Sequence, residues 1–175
     1  MADRVSIVPV ESAADLRSVR TLCNDFLAWL RTRYTSVDEY YPPDAWGQLL
    51  HDLPVIHAPP LGGIWLAVEE GRALGTVMLK GSAEPKICEM KRLFVHAEAR
   101  GRGLGRRLAF RAVDEARRCG YETMVFDTGI FHTEAKALYT QMGFRVRDPY
   151  YDCPEPLRSQ LIFYEGRLSD IGPRD

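Results

Sequence analysis

No stretch of the chain approaches the ~18 consecutive apolar residues of a membrane span, so no membrane partner is expected. Met1 to Ser6 lack the basic start and apolar run of a signal peptide, which points to a cytoplasmic chain. Close cysteine pairs are missing too. Cys23, Cys88, Cys119 and Cys153 are scattered without metal-ligand spacing, and they read as reduced thiols that fill the core. No metal is expected. Net charge is almost absent, at −1, which leaves no global attraction for nucleic acid or for an anionic membrane. Any anion site must be built locally. Internal repeats and low-complexity tracts are also lacking.

What remains is an ordinary folding chain. Its 175 residues are 46% hydrophobic and 27% charged, enough apolar surface for one real core and too much for disorder. Ser6 to Val10 reads as a short strand. Ser12 and Asp15 resemble a capping box, and behind them Leu16, Val19, Cys23, Phe26 and Leu30 recur at helical spacing, predicting a helix over 13–33. From Thr35 to Gly63 the pattern loosens, broken by Pro42-Pro43 and Pro59-Pro60, with a short helix around Asp44 to Leu50 between them.

Periodicity then returns. Ile64 to Val68, a turn at Glu69-Glu70-Gly71-Arg72, and Ala73 to Lys80 form a hairpin, and Ile87 to Val95 a third strand. A helix over Leu104 to Cys119 ends at Gly120. Thr123 to Asp127 is a strand, and Ala135, Leu138, Tyr139 and Met142 mark a short helix closed by Gly143. Phe144 to Arg147 and Gln160 to Glu165 supply the last strands. Strands alternating with helices predict an α/β or α+β domain around a central mixed sheet.

The chemistry concentrates in Arg100-Gly101-Arg102-Gly103-Leu104-Gly105, between a strand and a helix. Glycines there let the backbone approach a ligand, and the amides of such a turn with the following helix N-terminus form a nest for phosphate. Arg100, Arg102, Arg106 and Arg107 add positive charge around it. The alternative is a glycine turn with a solvated basic face. The dinucleotide fingerprint G-x-G-x-x-G fails, because the third glycine falls at 105 rather than 106, and no Gly-Lys-Ser/Thr of a Walker loop is present. The arginines at 100–118 are interleaved with Asp114 and Glu115, which argues against a nucleic-acid surface.

Two segments carry a family resemblance. Glu89-Met90-Lys91-Arg92-Leu93-Phe94-Val95, followed by Arg100-x-x-Gly-x-Gly and an amphipathic helix, resembles the coenzyme A-binding core of the GNAT N-acetyltransferase superfamily. Ala135 to Phe144 resembles the A-x-x-L-Y-x-x-x-G-F element of the same family, and Arg147 to Tyr151 with Pro154 is similar to small bacterial members. The resemblance covers 64–147 as a coenzyme A-binding core. It leaves 1–63 as an N-terminal, acceptor-side region and 148–175 as a C-terminal strand and tail of a single domain. The implied fold is a mixed, mostly antiparallel, twisted sheet flanked by helices.

The resemblance implies acetyl-CoA as acyl donor and a small-molecule, amino-acid or peptide amine as acceptor. Backbone at Leu93, Phe94 and Val95 would hold pantetheine. The segment Arg100, Gly101, Arg102, Gly103, Leu104, Gly105 and Arg106 would hold pyrophosphate. Tyr139 matches a tyrosine that protonates the leaving thiolate, though it also shares an apolar helix face with Ala135 and Leu138. Glu89 lies where several members place a general base, though Lys91, two residues on, offers it a salt bridge instead. His132 stands where many relatives carry asparagine. It reads as a surface histidine, as do His51, His57 and His96, with a cap, a cofactor contact or a proton transfer as alternatives for His132. The tryptophans and Tyr40-Tyr41 fit either the core or an acceptor cleft. Small relatives often pair through the end of the sheet, so a homodimer is open. A non-catalytic acyl-CoA sensor on the same fold is the rival function, and the presence of both Tyr139 and Glu89 favours the enzyme.

Overall fold

Ser12 Oγ accepts from the Asp15 amide at 3.1 Å, and the Asp15 carboxylate accepts from the Ser12 amide at 2.9 Å. In the computed structural model, which describes residues 4–172, this capping box opens α1, Ala13–Arg31, just after β1, Ser6–Pro9. Helix α1 buries Val19, Leu22, Cys23, Leu27 and Leu30, a wider stripe than the spacing alone predicts. Leu16 and Phe26 sit at its rim, partly buried.

The loose stretch is more regular than the sequence reading allows. It forms α2, Val37–Tyr40, and α3, Pro43–Ile56, so the short helix expected over 44–50 runs on to Ile56, more than a full turn further. The prolines misled because their effect depends on position. Pro43 occupies the first turn, where its missing N–H has no helical partner to lose. Pro54 lies near the end of α3, and the Leu50 carbonyl it leaves open accepts from Arg20 Nε at 3.1 Å.

Strands β2, Gly63–Glu69, and β3, Arg72–Gly81, form the expected hairpin. Its turn has Glu70 and Gly71 at φ 50° and 81°, the left-handed pair that matches hairpin twist. Then follow β4, Ile87–Val95, and α4, Leu104–Arg118, with Gly120 at φ 82° just past its end. The chain finishes with β5, Thr123–Gly129; α5, Thr133–Met142; β6, Arg145–Arg147; and β7, Leu161–Arg167.

The sheet order is β1-β2-β3-β4-β5-β7-β6, antiparallel throughout except between β4 and β5. One face packs on α4 and α5 through Leu104, Leu108, Ala112, Met124, Phe126 and Tyr139. The other packs on α1 and α3 through Val19, Leu27, Leu53, Leu66 and Met78. Among the described residues no helix is long and apolar enough to cross a membrane.

One irregularity positions everything that follows. Parallel pairing of β4 with β5 covers only Ile87, Cys88 and Glu89, and then the two strands part. On the other side of β4, Lys91 pairs with Met78 and Phe94 with Thr76, so Arg92 and Leu93 together oppose Val77 alone. That is a β-bulge, and Arg92 sits in it at φ 53°. A bulged strand bends and twists more strongly, and here the bend coincides with the gap.

Candidate active site

The gap between β4 and β5 opens a cleft through the middle of the sheet. Leu93, Phe94 and Val95 form one wall of it. The floor is the turn into α4, lined by Arg100, Gly101, Gly103, Leu104, Gly105 and Arg106. Gly101 and Gly103 take φ 76° and 73°, which a side chain would make costly. Gly103 is the N-cap residue and supplies no side-chain cap, so the first amides of α4 remain directed at the cleft. With no acidic residue in its first turn, α4 presents the positive end of its dipole there.

The arginines divide. Arg100 lies over the rings of Trp29 and Phe94 and bonds the Val95 carbonyl at 3.2 Å. Arg106 lies over Phe110 and also lines the cleft. Arg102 turns away from the nest to make a two-pronged pair with Glu69 at 2.6 and 3.0 Å, and Arg107 reaches back to the Val5 carbonyl.

Past the bulge the cleft meets a second, more enclosed cavity of about 120 Å³. Phe26, Leu93, His132 and Ala135 line both and form the neck between them. Tyr139 lines the inner cavity, its ring against Phe126 at 4.4 Å. Burial first, and then the charge of Asp127, push its phenol well above the usual value, so it stays protonated at neutral pH.

Glu89 is buried beside this cavity in a dense polar cluster. Its carboxylate pairs with Lys91 at 2.7 Å and Lys80 at 2.9 Å, and accepts from Tyr150 Oη at 2.6 Å. Burial alone would raise its pKa, but the two lysines and Tyr150 outweigh it and hold the carboxyl near 2. Lys91 also reaches Asp127 at 3.2 Å, and Asp127 accepts from Tyr151 at 3.3 Å. Burial works against the Lys91 ammonium, yet Asp127 and Glu89 prevail and keep it charged. Lys91, Arg92 and Asp127, rather than Glu89 itself, form the charged lining of the cavity.

Two histidines depart from the sequence reading. His132 is half-buried rather than exposed: it packs edge-on against Trp29 and lies near Phe26 and Tyr34. Its Nδ1 meets Thr128 Oγ1 at 3.0 Å, and among the described residues its Nε2, itself out of solvent, has no partner. Burial pushes its pKa down to about 4, so the ring is neutral at pH 7. His57 is buried too, with Nδ1 3.0 Å from the Leu79 carbonyl. Sequence reasoning gave no site role to Arg92, Asp127, Tyr150 or Tyr151, although Arg92, Tyr150 and Tyr151 stand in the runs that carry the family resemblance. What unites them is that the fold gathers them beside the gap between β4 and β5, which no local spacing marks.

Residues 23–144 match the family model described as the acetyltransferase (GNAT) family. The chain belongs to that family. As a GNAT chain it is 40% identical over 101 residues to an uncharacterised N-acetyltransferase of Schizosaccharomyces pombe, covering 57% of this chain and 62% of that one. It thus spans less than two thirds of that relative's length. It is 33% identical over 120 residues to an IAA acetyltransferase of Azospirillum brasilense, covering 68% of this chain and 76% of that protein. In fold it matches YncA of Salmonella typhimurium, solved with its cofactor acetyl-CoA, at a TM-score of 0.66 and 21% identity over 99% of each chain.

Proposed function

We propose that this chain transfers the acetyl group of acetyl-CoA to a primary amine of a small molecule, amino acid or peptide. The observation that carries the reading is the continuity of three features. An uncapped helix N-terminus with a positive-φ glycine turn leads along an unpaired strand edge to an inner cavity. A diphosphate, an extended arm and an acceptor amine fit those three stretches in that order. The solved structure of YncA with acetyl-CoA supports the cofactor.

Acetyl-CoA supplies an activated thioester, which an amine cleaves by aminolysis. The chain's own part is to hold the diphosphate on the amides from Gly101 to Arg106. The free edge of β4 at Leu93, Phe94 and Val95 is placed to pair with an extended arm as a missing strand would. The bulge takes Leu93 out of regular register at the neck of the cavity, where a backbone amide turned toward the gap would stabilise the negative charge that develops on the acetyl oxygen. As the C–N bond forms and the C–S bond breaks, Tyr139 donates its proton to the departing sulfur, and the proton shed by the attacking nitrogen returns to the phenolate. With the phenol raised and a thiol near ~8.5, that transfer is uphill and depends on proximity.

Glu89 acts through its partners. A carboxylate near 2 is a poor base for an ammonium of pKa ~10, so its role is to fix Lys91 and Tyr150 at the cavity, and the amine arrives neutral or deprotonates to water. A panel of amines incubated with acetyl-CoA and read by free thiol tests the whole reading. Calorimetric binding of acetyl-CoA with no thiol released by any amine would return the sensor function in its place.

A further inference from the structure

Strand geometry should send successive side chains to opposite faces. Met90 points into the core beneath α4, Lys91 to the other side, and Arg92 would follow Met90. The bulge prevents this. At φ 53° Arg92 turns to the same side as Lys91 and enters the inner cavity from the α1–α3 face. A non-glycine residue held in left-handed backbone at a cavity wall is a common mark of function.

The guanidinium has little to satisfy it there. It rests on the rings of Tyr41 and Trp46, each centroid 5.4 Å from Cζ, and its hydrogen bond is a long one, 3.4 Å from Nη1 to Tyr41 Oη. Among the described residues no carboxylate pairs with it. Asp127, the acidic side chain of the same cavity, is already taken by Lys91, Tyr150 and Tyr151. Glu89 is taken by Lys80, Lys91 and Tyr150. The cluster therefore holds three cations, Lys80, Lys91 and Arg92, against two carboxylates, Glu89 and Asp127, one positive charge in excess. A second observation points the same way: among the described residues the Tyr40 hydroxyl, on the same wall, is out of solvent and has no partner.

A planar fork of five donors lying on aromatic rings has its edge left to bind, and the fitting partner is a carboxylate held by two parallel hydrogen bonds. Much of the remaining wall is apolar, with Phe26, Leu30, Val37, Met90, Phe126 and Leu157, and Tyr34, Thr128, His132 and Gln160 line the rest beside Lys91 and Asp127. A cavity of ~150 Å³ lined by such groups holds benzene, so one of about 120 Å³ takes a short aliphatic side chain or a single small ring. We propose that the acceptor is a free amino acid with an apolar side chain, its carboxylate bound by Arg92 with the hydroxyls of Tyr40 and Tyr41. The inference rests on the acetyl-transfer reading for the fate of the amine, but the carboxylate site stands on its own geometry.

The test uses leucine and leucinamide in the thiol-release assay, with N-acetyl-leucine and N-acetyl-leucinamide in calorimetry with coenzyme A present. The wild type should favour each acid over its amide by ~10²-fold, because a site built to hydrogen-bond a group strongly rejects the analogue that lacks it. Arg92→Met should erase that preference, read as the ratio of acid to amide within each variant, with the acid's loss in KM rather than kcat. Arg92→Asn is the second variant, since asparagine tolerates left-handed backbone and guards against a folding failure. Equal binding of acid and amide by the wild type overturns the proposal. So does binding of neither, or retained preference in both variants. If no amine releases thiol, yet N-acetyl-leucine still binds and Arg92→Met abolishes it, acetyl transfer fails while the carboxylate site holds.

Discussion

Tyr139 sets the sharpest question at the scale of one residue. Its ring packs on Phe126 at 4.4 Å and Tyr164 at 5.5 Å, so packing alone accounts for its burial. Tyr139→Phe keeps those contacts and removes only the hydroxyl. If the phenol protonates the sulfur, kcat should fall ~10²-fold and acetyl-CoA affinity should hardly move. If it only packs, Tyr139→Phe turns over normally, and stability suffers only on truncation to alanine, by about 3 kcal/mol. Steady-state rates under conditions where chemistry limits turnover decide between them. The sequence left both readings open because an apolar helix face and a proton donor can share one tyrosine.

The turn into α4 is where element-scale prediction is cleanest. A Cβ on Gly105 would meet Leu138 Cδ2 at 3.7 Å and Val95 Cγ2 at 3.9 Å, ordinary contacts, so Gly105→Val should fold. Its methyl groups would occupy the cleft between α4 and α5. Gly103→Val adds a backbone penalty of ~1–2 kcal/mol, because φ 73° is hostile to a β-branched residue. Both variants are expected to lose acetyl-CoA binding by calorimetry while keeping a cooperative melt. Normal binding by both would move the diphosphate elsewhere.

Two properties belong to the molecule as a whole. Acetyl-CoA at 100 times its Kd should add ~2.7 kcal/mol of stability. For a domain of this size that raises Tm by ~5–10 °C, and an unmoved melt at millimolar ligand would count against the cofactor itself. The second property is acid lability. His57 is buried and its pKa is pushed down to about 4, whereas the unfolded imidazole titrates at ~6.5. Between those values the unfolded chain binds the extra proton, so stability is fully present above pH ~6.5 and is lost as pH falls toward 4. At roughly 1.4 kcal/mol per pH unit the loss is about 3 kcal/mol. Glu89, depressed to about 2, adds a further loss below its ordinary range. Urea midpoints should be level from pH 8 to 7 and then decline, and His57→Asn should flatten part of the decline. A level profile down to pH 4 would mean that the folded protein accepts the proton.

The strand boundaries from Ile87 to Val95, the capping box at Ser12 and the glycine that ends α4 were legible because each depends on neighbours within a turn or two of chain. The glycine turn into α4 and the helix that carries Tyr139 were legible for the same reason, as short runs with a spacing of their own. Tertiary structure alone decided the rest. Arg92 reached the cavity because a bulge reversed its face, and no local pattern marks a bulge. Arg102 left the nest for Glu69, 33 residues away. His57 was buried, and His132 half-buried, by elements remote in sequence. Glu89 acquired two lysines and Tyr150, a partner 61 residues on. Local spacing determines which groups are present, but a charged side chain's partner, and so its pKa and role, is set by what the fold brings within 4 Å.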